Sequence, residues 1–225
     1  PGPTEGSWSG SPTRIRRQLG FNARSKDIIN CKGKKVLVIG GGDTGSDCVG
    51  TANRHKAASV TQIEIMPQPP VGHNPATPWP LYPQVLKTSS SHEEGCIRRW
   101  NLASVRFIGD KNTLKGVEVE EIEWQPTEKE GRPEMRKTGS TEVIEADLVF
   151  LAMGFIHPEQ EGLVKELSLA VDARGNIAVD PVTNQIADTN LFASGDAVSG
   201  ASLVVRAMAS GRKVAAAIDQ YLRNK

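Results

Sequence analysis

Apolar residues fall into two patterns along this chain, short unbroken runs and longer stretches at helical spacing. Residues 36–39 (V-L-V-I) are an unbroken run, the mark of a short strand buried on both faces. Residues 44–54 set Cys48, Val49 and Ala52 at helical spacing, and residues 58–66 return to a strand through Val60, Ile63 and Ile65. That order predicts a βαβ unit. Pro-dense residues 67–83, with His73, Trp79 and Tyr82, exclude a helix or an inner strand. Val105, Phe107, Val117, Val119, Ile122 and Trp124 predict strands over 104–124. Residues 142–146 predict another, with polar 125–140 as the connecting tip. Residues 147–153 (D-L-V-F-L-A-M) read as a buried parallel strand ending at Gly154, covered on both faces. Further on, 169–179 predicts a hairpin about Arg174-Gly175-Asn176, and 189–196 a strand ending in Gly195-Asp196. Residues 201–222 carry Leu203, Val204, Ala207, Met208, Val214, Ala215 and Ile218 at helical spacing. The chain is therefore read as α/β.

Between the first strand and the first helix stand Gly40, Gly42 and Gly45 at the spacing G-x-G-x-x-G. Gly40 permits a tight turn, Gly42 lets a pyrophosphate approach the backbone, and Gly45 lets the helix lie close to the strand. Asp43 and Thr44 open the helix, whose free N–H groups and dipole favour an anionic phosphate. The residues alone also allow a purely structural strand–turn–helix. Glu64 lies about 20 residues past the glycines, where a carboxylate takes the ribose 2′-hydroxyl of NAD. Pro67-Gln68-Pro69-Pro70 follows without an Arg for a 2′-phosphate, which favours NADH over NADPH. A Glu64 that merely faces solvent on an alternating strand is the other reading.

Charge narrows the function classes. Lys plus Arg is 27 against 26 for Asp plus Glu, so nothing in the bulk charge suggests nucleic acid or an anionic membrane. No apolar run reaches the roughly 18 to 20 residues of a transmembrane helix. Cys31, Cys48 and Cys96 are scattered and odd in number. That argues against a disulfide framework or a C-x-x-C pair and fits a reducing cytoplasm. The first 30 residues, rich in Gly, Pro, Ser and Arg, read as a poorly packed lead-in, with Arg14, Arg16 and Arg17 on a solvated tail. A chain beginning with Pro1 is expected to be a fragment.

The stretch Ser89-Ser90-Ser91-His92-Glu93-Glu94-Gly95 imitates a catalytic cluster, but triad roles need geometry rather than adjacency. A helix cap, with Ser90 or Ser91 ahead of Glu93 and Glu94, accounts for the same letters. His92, Glu93 and Cys96 lack a second ligand group at a recognised spacing, so no metal site is assigned. Gly195-Asp196 before a turn and helix can set a carboxylate on a ribityl hydroxyl. A turn Asp ahead of a helix explains it equally simply.

The segments V-I-G-G-G-D-T-G-S-D-C-V-G, S-V-T-Q-I-E-I-M-P, T-S-S-S-H-E-E-G-C, E-A-D-L-V-F-L-A-M-G-F and L-F-A-S-G-D-A-V-S-G-A-S-L-V-V-R-A together resemble the C-terminal half of the glutamate synthase small (beta) subunit. The resemblance covers about 33–222, in order; residues 1–30 depart from it. It implies a Rossmann-like three-layer FAD/NAD(P)-binding domain with a β-meander, plus the C-terminal returning part of a split FAD-binding domain. The implied organisation is an irregular lead-in over 1–32, a NAD(P)-binding domain over 33–153, and the FAD-domain segment over 154–225. By resemblance, Gly40, Gly42, Asp43, Thr44, Gly45 and Glu64 hold NAD(P)H. Gly154, Gly195, Asp196, Ala201 and Ser202 contact FAD, with Gly195 and Asp196 at the ribityl chain. Ala197 and Val198 stand where the family often has Arg residues, and Arg206 stands where it has Trp, so flavin contacts differ here. The implied reaction passes hydride from NAD(P)H to FAD, then electrons through iron–sulfur clusters lying outside this chain to the large (alpha) subunit for L-glutamate synthesis. No catalytic side chain is assigned, because the cofactors carry the chemistry. The partners implied are the large subunit and the FAD and iron–sulfur region of its own subunit. Two alternatives stay open: a dinucleotide-binding module inactive on its own, and a flavin-dependent reductase serving another acceptor.

Overall fold

The computed structural model describes residues 29–110, 113–125 and 133–224, with the backbone of Ser7–Ser9. The chain divides into two compact units, Pro1–Met153 and Gly154–Lys225. The first holds a five-stranded sheet in the order β1-β8-β2-β3-β4, every neighbouring pair parallel. Its strands are β1 (Ser7–Ser9), β2 (Lys35–Ile39), β3 (Ser59–Ile63), β4 (Ile97–Arg99) and β8 (Leu148–Leu151). Helix α1 (Asp43–Arg54) links β2 to β3, and the short helix α2 (Ser90–Glu93) precedes β4. An antiparallel meander of β5 (Leu102–Asp110), β6 (Thr113–Gln125) and β7 (Glu134–Glu145) lies between β4 and β8 in the chain.

Strand periodicity sorts β2 into two cores. Val36 and Val38 pack with Val60, Leu148 and Phe150 against Cys48, Val49 and Ala52 of α1. Leu37 and Ile39 point the other way and pack with Ile63 and Val149 against Leu102, Val117 and Val119 of the meander. The result is three layers, helix, parallel sheet and meander, which is why V-L-V-I is apolar without alternation. Each aliphatic chain fully buried here contributes about 1.5–3 kcal/mol.

Four sequence expectations change. The lead-in is not wholly irregular: Ser7–Ser9 pairs with Val149, Phe150 and Leu151 of β8, and Cys31 is fully buried in the α1-side core. Arg14, Arg16 and Arg17 lie outside the described residues. Strand β7 begins at Glu134, inside the expected tip. Nearly all its side chains are exposed, so pairing with β6 makes the strand without an apolar face to announce it. The expected strand over 189–196 reduces to one bridge, Gln185 to Phe192.

The last change is where the final helix begins. Helix α4 is Val204–Arg223, so Ala201 and Ser202 lie ahead of it instead of opening it. The short helix α3 (Asp196–Ser199) follows Gly195. Unit two otherwise consists of an irregular helical turn at Gln160–Val164, turns and isolated bridges, with Val164, Ile177 and Ile186 as its small core. Among the described residues no helix is long and apolar enough to cross a membrane.

Candidate functional site

The glycine turn sits at the carboxyl end of β2, the edge where open parallel sheets receive ligands. Gly40 has φ +122°, and a Cβ there would run into the carbonyl of Ala152. A Cβ on Gly45 would strike the Gly40 carbonyl and come within 2.6 Å of Gln62 Nε2. Both glycines are therefore demanded by packing. Gly42 is different: nothing lies within 4 Å of where its Cβ would be, leaving open space over the backbone. Gly42 is also the N-cap of α1 and makes no side-chain cap bond. The N–H groups of Asp43, Thr44 and Gly45 have no acceptor inside the helix, as at any helix start. Together with the acidic-end dipole preference these groups suit a phosphate.

The carboxylate of Glu64 accepts the N–H of Gly41 and reaches the N–H of Met66 at 3.3 Å. Gly40, Gly42, Asp43, Thr44, Gly45 and Glu64 thus converge on one turn. Gln62, one residue pair earlier on β3, belongs to the same cluster and escaped the sequence reading. It is buried, its Nε2 donates to the Gly40 carbonyl at 2.8 Å, and its Oε1 lies 2.9 Å from His92 Nε2. A polar residue amid the buried positions of a doubly covered strand was the signal, because such an amide must find partners.

The Ser-His-Glu-Glu stretch docks along α1. Ser91 packs where a Cβ on Gly50 would stand, Asn53 Nδ2 donates to the Gly95 carbonyl at 2.6 Å, and Arg54 pairs with Glu94. The N-cap is Ser89, not Ser90 or Ser91, and it forms a capping box with His92. Both ring nitrogens of His92 are engaged, one by Gln62 and one by Ser89, which leaves neither for a metal. Burial, with a smaller contribution from Arg98, lowers the His92 pKa. Among the thiols, burial pushes Cys48 up to about 12 and Cys31 to about 11, so neither is an activated thiolate.

In unit two, Gly195 takes φ +63° and donates its N–H to Ser210 Oγ at 3.1 Å, while Asp196 stands exposed at the first position of α3. Ala201 and Ser202 are exposed just past α3, and the N-cap Leu203 of α4 makes no side-chain cap bond. Gly154, φ +84°, opens the unit.

Comparison with known proteins adds relatives to this geometry. The family model described as pyridine nucleotide-disulphide oxidoreductase matches residues 98–211, which excludes the glycine turn itself. The glutamate synthase (NADPH) small chain of Mycobacterium tuberculosis (strain ATCC 25618 / H37Rv) is 43% identical over 195 residues, covering 86% of this chain and 38% of that one. The glutamate synthase (NADH) of Saccharomyces cerevisiae (strain ATCC 204508 / S288c) is 37% identical over 203 residues, covering 85% of this chain and 9% of its own length. The chain thus spans well under half the length of these relatives. Among solved structures, T. acidophilum thioredoxin reductase is similar at a TM-score of 0.54 and 25% identity, over 83% of this chain and 52% of that one. Mycobacterium tuberculosis FprA in complex with NADPH matches in fold at a TM-score of 0.60 and 13% identity, over 87% and 54%.

Proposed function

The chain belongs to the pyridine nucleotide-disulphide oxidoreductase family, and on that footing we propose that it is the NAD(P)H-binding part, with the returning FAD segment, of a glutamate synthase small chain. The observation that carries this reading is the open space over Gly42, framed by two glycines whose Cβ positions are already filled by backbone. A pyrophosphate fits there against the N–H groups of Asp43, Thr44 and Gly45. Glu64 is the residue proposed to accept the ribose 2′-hydroxyl. Its carboxylate already borders the turn through Gly41, which supports NADH as the preferred cofactor.

When bound, the nicotinamide supplies a hydride and the flavin accepts it. The work left to this chain is to bind and orient. In unit two, the exposed Asp196 carboxylate suits a ribityl hydroxyl, and the start of α4, lacking a side-chain cap, suits an electron-rich ring edge. Those residues fit part of a flavin site. Electrons are proposed to pass to the large chain for L-glutamate synthesis, with the FAD and iron–sulfur region of the same subunit as the intermediate partner.

Gly42→Val tests the reading. Gly42 has φ −80°, which any residue adopts, and its Cβ meets nothing, so the variant should unfold like the parent. It should nonetheless lose NADH binding at least tenfold in a fluorescence titration, because its side chain occupies the pyrophosphate space. Unchanged affinity, or a parent chain that binds neither NADH nor NADPH, would overturn the assignment.

A further inference from the structure

Four side chains drawn from α1, β3 and the α2 segment connect end to end: Ser46, Ser89, His92 and Gln62, with the Gly40 carbonyl as terminus. From His92 to Gly40 the direction of each proton is dictated by one compulsory donor, while the Ser46 and Ser89 hydroxyls can pair in either sense. The Ser89 backbone N–H points at His92 Nδ1 from 3.2 Å, so Nδ1 is an acceptor and the neutral ring carries its proton on Nε2. That proton faces Gln62 Oε1 at 2.9 Å. With Oε1 so occupied, the Gln62 NH₂ is turned to the Gly40 carbonyl at 2.8 Å.

The orientation matters because an amide side chain is nearly symmetric in shape, and its two ends have opposite hydrogen-bonding character. Without the His92 proton, nothing on that side distinguishes the two rotations of Gln62. The flipped one would set oxygen against the Gly40 carbonyl oxygen, in a strand where Gln62 is only 2% exposed. Two buried acceptors facing each other leave both unsatisfied, at a cost comparable to a lost hydrogen bond or more. The Gly40 carbonyl also lies directly beneath Gly45, so its displacement moves the start of α1.

We propose that Ser89, His92 and Gln62 form a directional hydrogen-bond relay that holds the Gly40 carbonyl, making His92 the positioning residue of the dinucleotide turn from a segment over 40 residues away in sequence. This rests on reading Gly40–Gly45 as the pyridine-nucleotide turn. His92 touches no reacting atom in this scheme; it acts through Gln62.

The 225-residue chain and four variants test it, with two readouts: the Kd for NADH and NADPH by fluorescence titration, and hydrogen exchange of the peptide covering 36–48. His92→Phe keeps an aromatic ring and removes the donor. It should weaken nucleotide binding about tenfold and speed exchange across the turn, while circular dichroism stays that of the parent. His92→Gln places an NH₂ at a similar reach and should keep both readouts within about twofold. Gln62→Met combined with His92→Phe should be no worse than Gln62→Met alone, since the two act as one unit. The relay is overturned if folded His92→Phe matches the parent in both readouts, or if His92→Gln is as damaged as His92→Phe, which would mean packing alone. Should the parent bind neither nucleotide, the proposed function falls, and the exchange comparison still decides whether His92 holds the turn.

Discussion

Gly40, just past β2, and Gly195, the N-cap of α3, both stand ahead of a helix with positive φ, +122° and +63°, yet their surroundings differ. A Cβ at Gly40 meets a backbone carbonyl that cannot yield, because Ala152 is held by its own N–H bond to Ile39 at 2.7 Å. A Cβ at Gly195 meets only Ala207, at 3.7 Å, an ordinary contact. The first glycine is required by the backbone at the end of the neighbouring strand as well as by its angle, the second by its own backbone angle alone. The same contrast runs through the two units. Unit one buries whole strands on two faces, whereas unit two relies on Val164, Ile177 and Ile186 and on Asp side chains that cap turns.

That contrast can be broken in several ways. Gly40→Ala should be the most damaging, costing about 3 kcal/mol or more in a urea titration, since strain and backbone collision add. Gly45→Ala should cost less, about 2 kcal/mol, because alanine's better helix propensity of about 1 kcal/mol offsets part of the clash with the Gly40 carbonyl. Gly195→Ala should cost about 1–2 kcal/mol, the backbone strain of φ +63°, ψ −145° for a Cβ that has room around it. A Gly195→Ala loss equal to that of Gly40→Ala would erase the distinction between packed and merely left-handed glycines.

Acid should separate the regions in order, by the smallest effects. His92 is held below the ordinary histidine value of 6.5 by burial first and then by Arg98 on β4. The folded state thus prefers the neutral ring. Stability from this site is whole above about pH 6.5 and is lost as pH falls through the lowered value, when Nδ1–H would oppose the Ser89 N–H. Asp172 is lowered chiefly by the Asn176 N–H, and Asp180 chiefly by the Thr183 N–H, from an ordinary 3.8. Their contribution is present above about pH 3.8 and lost as pH falls through the lowered values. Hydrogen exchange against pH should therefore show the Gly40–Gly45 turn loosening first and the turns at 172–176 and 180–184 later. The reverse order would contradict the hydrogen-bond directions given for His92.

Legibility followed coverage. The unbroken apolar runs of β2 and β8 announce strands because both faces are buried, and Cys48, Val49 and Ala52 announce α1 because one face is. β7 was mostly hidden, since its side chains are exposed and only its bonds to β6 define it. Helix α4 starts later than the apolar periodicity predicts because Leu203, though apolar and in phase, takes an extended backbone as N-cap. At the glycine turn, Gly40, Gly42 and Gly45 could be read from spacing, whereas Gln62 and His92 could not be joined to it by any local pattern.

The α/β class and the glycine turn between strand and helix follow from the residues alone, because short-range spacing and apolar periodicity act within one or two elements; Glu64 could be named from its spacing, but not placed against the turn. It takes the folded chain to show that Gly40 and Gly45 are packed while Gly42 is open, that the Glu64 carboxylate meets the Gly41 N–H, and that the Ser-His-Glu-Glu segment lies along α1 with His92 turned to Gln62. Those facts depend on atoms from β3, β8 and α2 meeting at one strand end. Side-chain partners so distant in sequence are chosen by packing and hydrogen-bond satisfaction, which no local pattern encodes.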